Sequence, residues 1–226
     1  MFVSVLLFYK HSLFIREELF KGSLLDKCFN DYRIGYVGDE MKKYQIIYAD
    51  PAWVYKDKLK FHGGGAASHY KCTPTEEMGK LQIPSEKDSE LIMWCTYPMI
   101  EEGSKLMKMW GFKYKSVFFT WVKLNKDGSF YMGMGRRTRG NAEIALVGTK
   151  GKGVKRIDAS IKNTQAHPRT KHSEKPNAFR LDIEKHYGNV SKLELFARKK
   201  SPGWDIWGNE VESSIDLTGE AKNTVL

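Results

Sequence analysis

Cysteine is scarce in these 226 residues: only Cys28, Cys72 and Cys95 are present. Odd in number and widely spaced, they exclude a disulfide framework and leave no pair at metal-ligand spacing. A reducing cytoplasm is the expected compartment. The six histidines do not cluster either, so no metal is expected. Long apolar runs are also missing. Phe2 to Phe8 has no basic residue before it; it is too short to span a bilayer and weak as a secretion signal. No membrane partner is expected. No Gly-x-Gly-x-x-Gly follows an apolar run. Gly63-Gly64-Gly65 lacks the strand-to-helix setting of a phosphate cradle, and reads as a substrate loop or as disorder.

Acid is in short supply as well. Asp and Glu total 27 against 37 Lys and Arg, a net charge of +10. That balance suits a polyanionic partner such as nucleic acid. From Lys150 to Arg180 nine basic residues face only Asp158 and Glu174. The run reads as a phosphate-contacting segment or as a solvated loop.

What is present is an α/β alternation of single-domain length. Tyr44–Ala49, Leu91–Cys95, Val117–Val122 and Glu143–Val147 read as strands, and a last strand carries Leu193, Leu195 and Ala197. Met99, Gly103, Leu106 and Trp110 share one helix face ending at Gly111. Phe179, Ile183 and Tyr187 stripe a later helix, closed by Gly188. A mostly parallel sheet with helices on both faces is expected, with ligands bound outside the carboxyl ends of its strands. Residues 1–40 fit this pattern poorly and read as an N-terminal extension, with Met41 as a candidate start. Residues 41–211 form the domain, and 212–226 a polar tail.

Asp50-Pro51-Ala52-Trp53 is the most informative segment. Pro51 stops the strand, so an acid leaves its carboxyl end beside a fixed turn. The Asp50 carboxylate and Pro51 carbonyl can both accept from an amine on a planar base. Trp53 either stacks on that base or packs in the core. Trp94, Trp110 and Trp121 are expected in the core.

Further blocks follow in order: His69-Tyr70, Glu77-Met78, Trp110-Gly111-Phe112, Trp121-Val122-Lys123, Asn141-Ala142-Glu143, Ser173-Glu174-Lys175-Pro176, Glu194-Leu195-Phe196-Ala197-Arg198 and Trp207-Gly208-Asn209. Together with Asp-Pro-x-Trp, this string resembles the adenine-N6 methyltransferase family. That family comprises the eukaryotic messenger-RNA adenosine methyltransferase catalytic subunit and its bacterial and phage DNA-modifying relatives. The resemblance implies a Rossmann-like methyltransferase fold in which the catalytic motif precedes the cofactor strand. It also implies S-adenosyl-L-methionine as methyl donor and an adenine N6 target, in DNA or in RNA. An inactive scaffold of the same fold, and a homo- or heterodimer, remain alternatives. This chain departs from the usual motif at Ala52, where a second proline would stiffen the loop.

Residue by residue, Asp50, Pro51, Ala52 and Trp53 would carry catalysis. Asp50, Lys175, Glu194, Arg198 and Asn209 would bind the cofactor, and Tyr70 and Glu143 the base. Lys175 precedes a helix N-terminus, a setting for a carboxylate, or else it is a surface lysine. Glu194 and Arg198 lie about 13 Å apart along a strand and cannot pair. Each is expected on ribose hydroxyls or in an ion pair with a neighbouring strand. Lys152, Lys155 and Arg156 are expected beside the active site, on nucleic-acid phosphates.

Overall fold

A computed structural model describes residues 41–55, 72–133, 135, 137–170 and 174–217. Cys28, the extension before Met41, the glycine run, Tyr70 and the end of the tail lie outside the described residues. Contacts divide the chain into Met1–Met41 and Lys42–Leu226, and the fold set out below belongs to the second.

Seven strands form one sheet: β1 Tyr44–Ala49, β2 Ser85–Cys95, β3 Lys113–Leu124, β4 Ala142–Lys150, β5 Thr164–Pro168, β6 Lys192–Leu195 and β7 Asp205–Trp207. Their spatial order is β5-β3-β4-β2-β1-β6-β7. β1 pairs in parallel with β2 and β6, β6 with β7, and β3 with β5. Only β4 runs against its neighbours, β2 and β3. The sheet is therefore mixed but mostly parallel.

The helices are α1 Thr75–Met78, α2 Ile100–Met109 and α3 Asn177–Tyr187. Alternation along β2 sorts the core into two layers. Leu91, Met93 and Cys95 face Leu106 and Met107 of α2. Ile92 and Trp94 face Phe179, Ile183 and Tyr187 of α3. Both faces of the sheet are covered, so β1 is buried at both layers, with only Gln45 half-buried. This is a Rossmann-like α/β fold. No described helix is long and apolar enough to cross a membrane.

Three departures from the sequence reading have local causes. β2 already begins at Ser85, which pairs with Tyr44 at the start of β1, while its ladder with β4 starts only at Ser89. β6 stops at Leu195 rather than Ala197: Phe196 takes φ +60°, a left-handed turn that ends the ladder. β5 and β7 lacked a readable period. The first alternates between exposed and half-buried residues, and the second has only three residues.

Candidate active site

Four charged side chains from four elements meet at the carboxyl edge of the sheet. Asp50 follows β1, Lys123 lies near the end of β3, and Lys175 precedes α3. Glu143 joins them because β4 runs backwards: its first residues lie where its neighbours end, with Glu143 opposite Trp121. Lys175 Nζ is 2.7 Å from both Asp50 oxygens and 3.3 Å from Glu143 Oε2. Lys123 donates to Glu143 Oε1. The result is a row of alternating charge, Asp50–Lys175–Glu143–Lys123. Lys175 is only 11% exposed, whereas Asp50 keeps 28% of its side-chain surface open.

Burial pushes the Asp50 carboxyl above its ordinary value, and Lys175 opposes the rise without cancelling it. Burial also acts upward on Glu143, but two ammonium neighbours outweigh it and hold this carboxyl low. For Lys175 the desolvation that would discharge it is overcome by Asp50 and Glu143, so its ammonium is held firmly charged. Cys95, a free buried thiol beside this row, is pushed up to about 12 by burial and then by Glu143. It is protonated at neutral pH.

The loop after β1 is tied down on three sides. The Trp53 amide donates to the Pro51 carbonyl (3.0 Å), and the Thr73 amide donates to the Ala52 carbonyl (3.0 Å). Trp53 Nε1 donates to the Trp94 carbonyl at 3.1 Å. These bonds restrain the position where Ala52 replaces the usual proline. They also correct the stacking expectation for Trp53. Its indole is 4% exposed and belongs to the core layer of α2, leaving only its margin in a cavity wall. Trp94, Trp110 and Trp121 are buried as expected.

Two cavities flank the charged row. One, of about 620 Å³, is lined by Pro51, Trp121, Lys123, Lys126, Tyr131, Glu143 and Arg169 among others. The other, of about 450 Å³, is lined by Tyr48, Arg180, Glu194, Phe196, Lys199 and Glu210 among others. Asp50, Lys175 and Arg198 border both. In the second cavity Arg180 grips Glu194 through two nitrogens, at 2.8 to 3.1 Å. Burial raises the Glu194 carboxyl, with Arg180 acting against it. Arg198 approaches Glu210 at 3.5 Å. The turn carrying Arg198 is packed tightly onto the end of β7: a Cβ at Gly208 would lie 2.2 Å from the Ala197 carbonyl oxygen.

Of the residues singled out by sequence, the fold brings together Asp50, Pro51, Ala52, Glu143, Lys175, Glu194 and Arg198. Three expectations need correction. Lys175 sits on Asp50 and Glu143, a pairing that its position before a helix did not reveal. Asn209 is exposed and lines neither cavity, while its neighbour Glu210 lines one. Lys152, Lys155 and Arg156 lie at the far edge of the sheet, because antiparallel β4 carries them away from Asp50. There the Lys152 amide bonds Asp88 at 2.8 Å, and the Ile157 amide bonds His186 near the end of α3 at 2.8 Å. β5 then returns the chain to the site, delivering Arg169. Lys123, Lys126, Tyr131 and Arg169 were missed as site residues. One available signal was Lys123, two positions after Trp121 and hence on the same strand face.

The MT-A70 family profile matches residues 44–210. The type II methyltransferase M.MunI of a Mycoplasma species is 34% identical over 196 residues, covering 78% of this chain and 82% of that protein. The N(6)-adenine-specific methyltransferase METTL4 of mouse is 26% identical, and its human counterpart 25%. Each of those alignments covers 75% of this chain but 38% of the relative. The fold and these relatives define a Rossmann-like methyltransferase. The chain belongs to the MT-A70 family.

Proposed function

We propose that this protein transfers a methyl group from S-adenosyl-L-methionine to the N6 amine of adenine in DNA. The carrying observation is the position of Asp50, whose carboxylate borders both cavities. A carboxylate so placed can face an acceptor base on one side and a methyl donor on the other. Similarity to the N(6)-adenine-specific methyltransferase METTL4 supports the adenine target, and the stronger similarity to M.MunI, a type II methyltransferase, supports DNA.

The second cavity suits the donor. Its volume falls within the usual range for small-molecule sites. Arg198 and Lys199 offer cations to a carboxylate, and Glu194 and Glu210 offer acceptors to ribose hydroxyls. Bound there, S-adenosyl-L-methionine would supply an electrophilic methyl on a sulfonium.

The chain's own residues handle the base. Adenine's exocyclic amine is a poor nucleophile because its lone pair is delocalised into the ring. Asp50 and the Pro51 carbonyl accept its two hydrogens and favour the pyramidal nitrogen that attacks carbon. The effect accelerates the reaction to the extent that these bonds strengthen in the transition state. Lys175 fixes the carboxylate from behind, leaving oxygen lone pairs on the open side. Once the amine has accepted a methyl group, its excess proton would leave along the hydrogen bond to Asp50 or to water. Alignment supplies most of the remaining effect.

The test is direct. The protein is incubated with tritiated S-adenosyl-L-methionine and either DNA or RNA, and the polymer is digested to nucleosides. Label is expected in N6-methyldeoxyadenosine. Label confined to RNA would move the substrate assignment, and label on cytosine, or none, would sink the reading.

A further inference from the structure

The segment joining β3 to β4 contributes to the first cavity, but part of it faces away. Its first turn is closely tied. The Asn125 amide donates to the Ser129 carbonyl at 2.8 Å. Asp127 Oδ1 accepts from the Ser129 amide at 3.0 Å and from its hydroxyl at 2.6 Å. Gly128 takes φ +84° to close the turn. Phe130 then bridges back to Leu124, and the Tyr131 amide donates to the Lys123 carbonyl at 2.9 Å. Extended backbone sends successive side chains to opposite sides. Tyr131 enters the cavity wall, where the Arg169 guanidinium lies 3.5 Å from its ring centre. Its neighbours Phe130 and Met132 line neither cavity and are 68% and 71% exposed.

Single exposed apolar residues are ordinary on protein surfaces. These two differ in setting. They follow a hydrogen-bonded turn and flank, one on each side in sequence, a tyrosine of the wall of the candidate base site. Residues 125–140 carry Lys126, Arg136, Arg137 and Arg139 against Asp127 alone; Lys126, Arg137 and Arg139 are exposed. A basic segment bearing a rigid apolar tip is complementary to stacked bases between phosphates.

On the reading of the site as an adenine methyltransferase, we infer that Phe130 and Met132 form a wedge that enters duplex DNA and holds it open while the target adenine occupies the first cavity. An adenine inside a duplex cannot reach a carboxylate recessed beyond the carboxyl edge of a sheet, so it must leave the stack. Phe and Met are among the side chains suited to inserting between base steps. Lys126, Arg137 and Arg139 contact the flanking phosphates and position the wedge without reading sequence.

The test compares wild type with the Phe130→Ala/Met132→Ala double variant on unmethylated plasmid DNA, native and heat-denatured, with tritiated cofactor. The variant should lose about tenfold or more of its methylation of native plasmid, because duplex opening is then unsupported, and retain near-wild-type methylation of denatured plasmid. Permanganate, which oxidises thymines that have lost their stacking, provides a readout independent of methyl transfer. Wild type should create reactive thymines on native plasmid, and the variant should not. Equal loss on native and denatured DNA, no loss on either, or no wild-type permanganate signal would overturn the wedge. Should wild type methylate neither form, the DNA reading itself fails. Permanganate then decides the wedge alone: reactivity lost in the variant supports it, and an unchanged pattern removes it.

Discussion

The two edges of the sheet use the same residue types for opposite purposes. At the amino edge, Asp88 accepts from the Lys152 amide, and Glu90 accepts from the Val154 amide and the Tyr187 hydroxyl. Those carboxylates bind backbone and a buried phenol, and so fasten the segment after β4. At the carboxyl edge, Asp50 and Glu143 bind ammonium groups and face cavities. An ammonium on a flexible stem leaves carboxylate lone pairs available to an incoming group, whereas a loop amide is fixed by the fold. Buried charge marks a reactive site where its partners are side chains and its surroundings are open.

Asp50→Asn should break the carboxyl edge most severely. The substitution keeps shape but can aim a donor amide at the substrate amine. Turnover should fall at least about a hundredfold, with cofactor affinity little changed. Single-turnover methyl transfer and calorimetric titration measure the two separately, and near-wild-type turnover would remove Asp50 from the mechanism.

Lys175→Met should cost both activity and stability, because it leaves Asp50 and Glu143 without their shared cation. Partial exposure tempers the loss, and about 2–3 kcal/mol is expected in denaturant unfolding. The same variant tests the electrostatics. Asp50 must be ionised to accept from the amine, and its carboxyl is raised, so methyl transfer should decline with falling pH above the ordinary value of 3.8. Removing Lys175, which opposes that rise, should move the acid limb further up. A limb that stays put or moves down would contradict the arrangement.

Charge neutralisation should separate the edges through nucleic-acid affinity. Lys126→Gln with Arg169→Gln should weaken DNA binding and flatten its salt dependence by about two phosphate contacts. Lys152→Gln, Lys155→Gln and Arg156→Gln together should change the salt slope much less. Binding titrations across a salt series decide between them, and a larger effect from the far-edge triple would reverse the assignment.

The smallest effect is expected at His186, on the amino edge. Its Nδ1 is buried without a hydrogen-bond partner, and burial holds its pKa below the ordinary 6.5. As pH falls below that value the unfolded chain takes up the proton first, so this residue's contribution to stability is lost progressively down to its lower folded value. His186→Phe keeps a ring among Phe118 and Tyr187. It should flatten the decline in stability as pH falls below the ordinary value of 6.5. An unchanged pH profile would show that His186 does not titrate with unfolding.

Local pattern was enough to read the α/β class, the strand ending at Asp50, and the Phe179–Ile183–Tyr187 stripe of α3. Each of these is written within a few turns of chain, where hydrophobic period and proline act directly. Only the tertiary structure decided that β4 runs backwards, because a continuous buried apolar run reads the same in either direction. That single reversal brings Glu143 to Lys175 and Asp50, and carries Lys152, Lys155 and Arg156 to the far edge. The grip of Lys175 on Asp50, across 125 residues of sequence, likewise depends on β1 and α3 sharing a core. Residue types set what the chemistry can be, while strand direction and long-range pairing decide which of those residues meet.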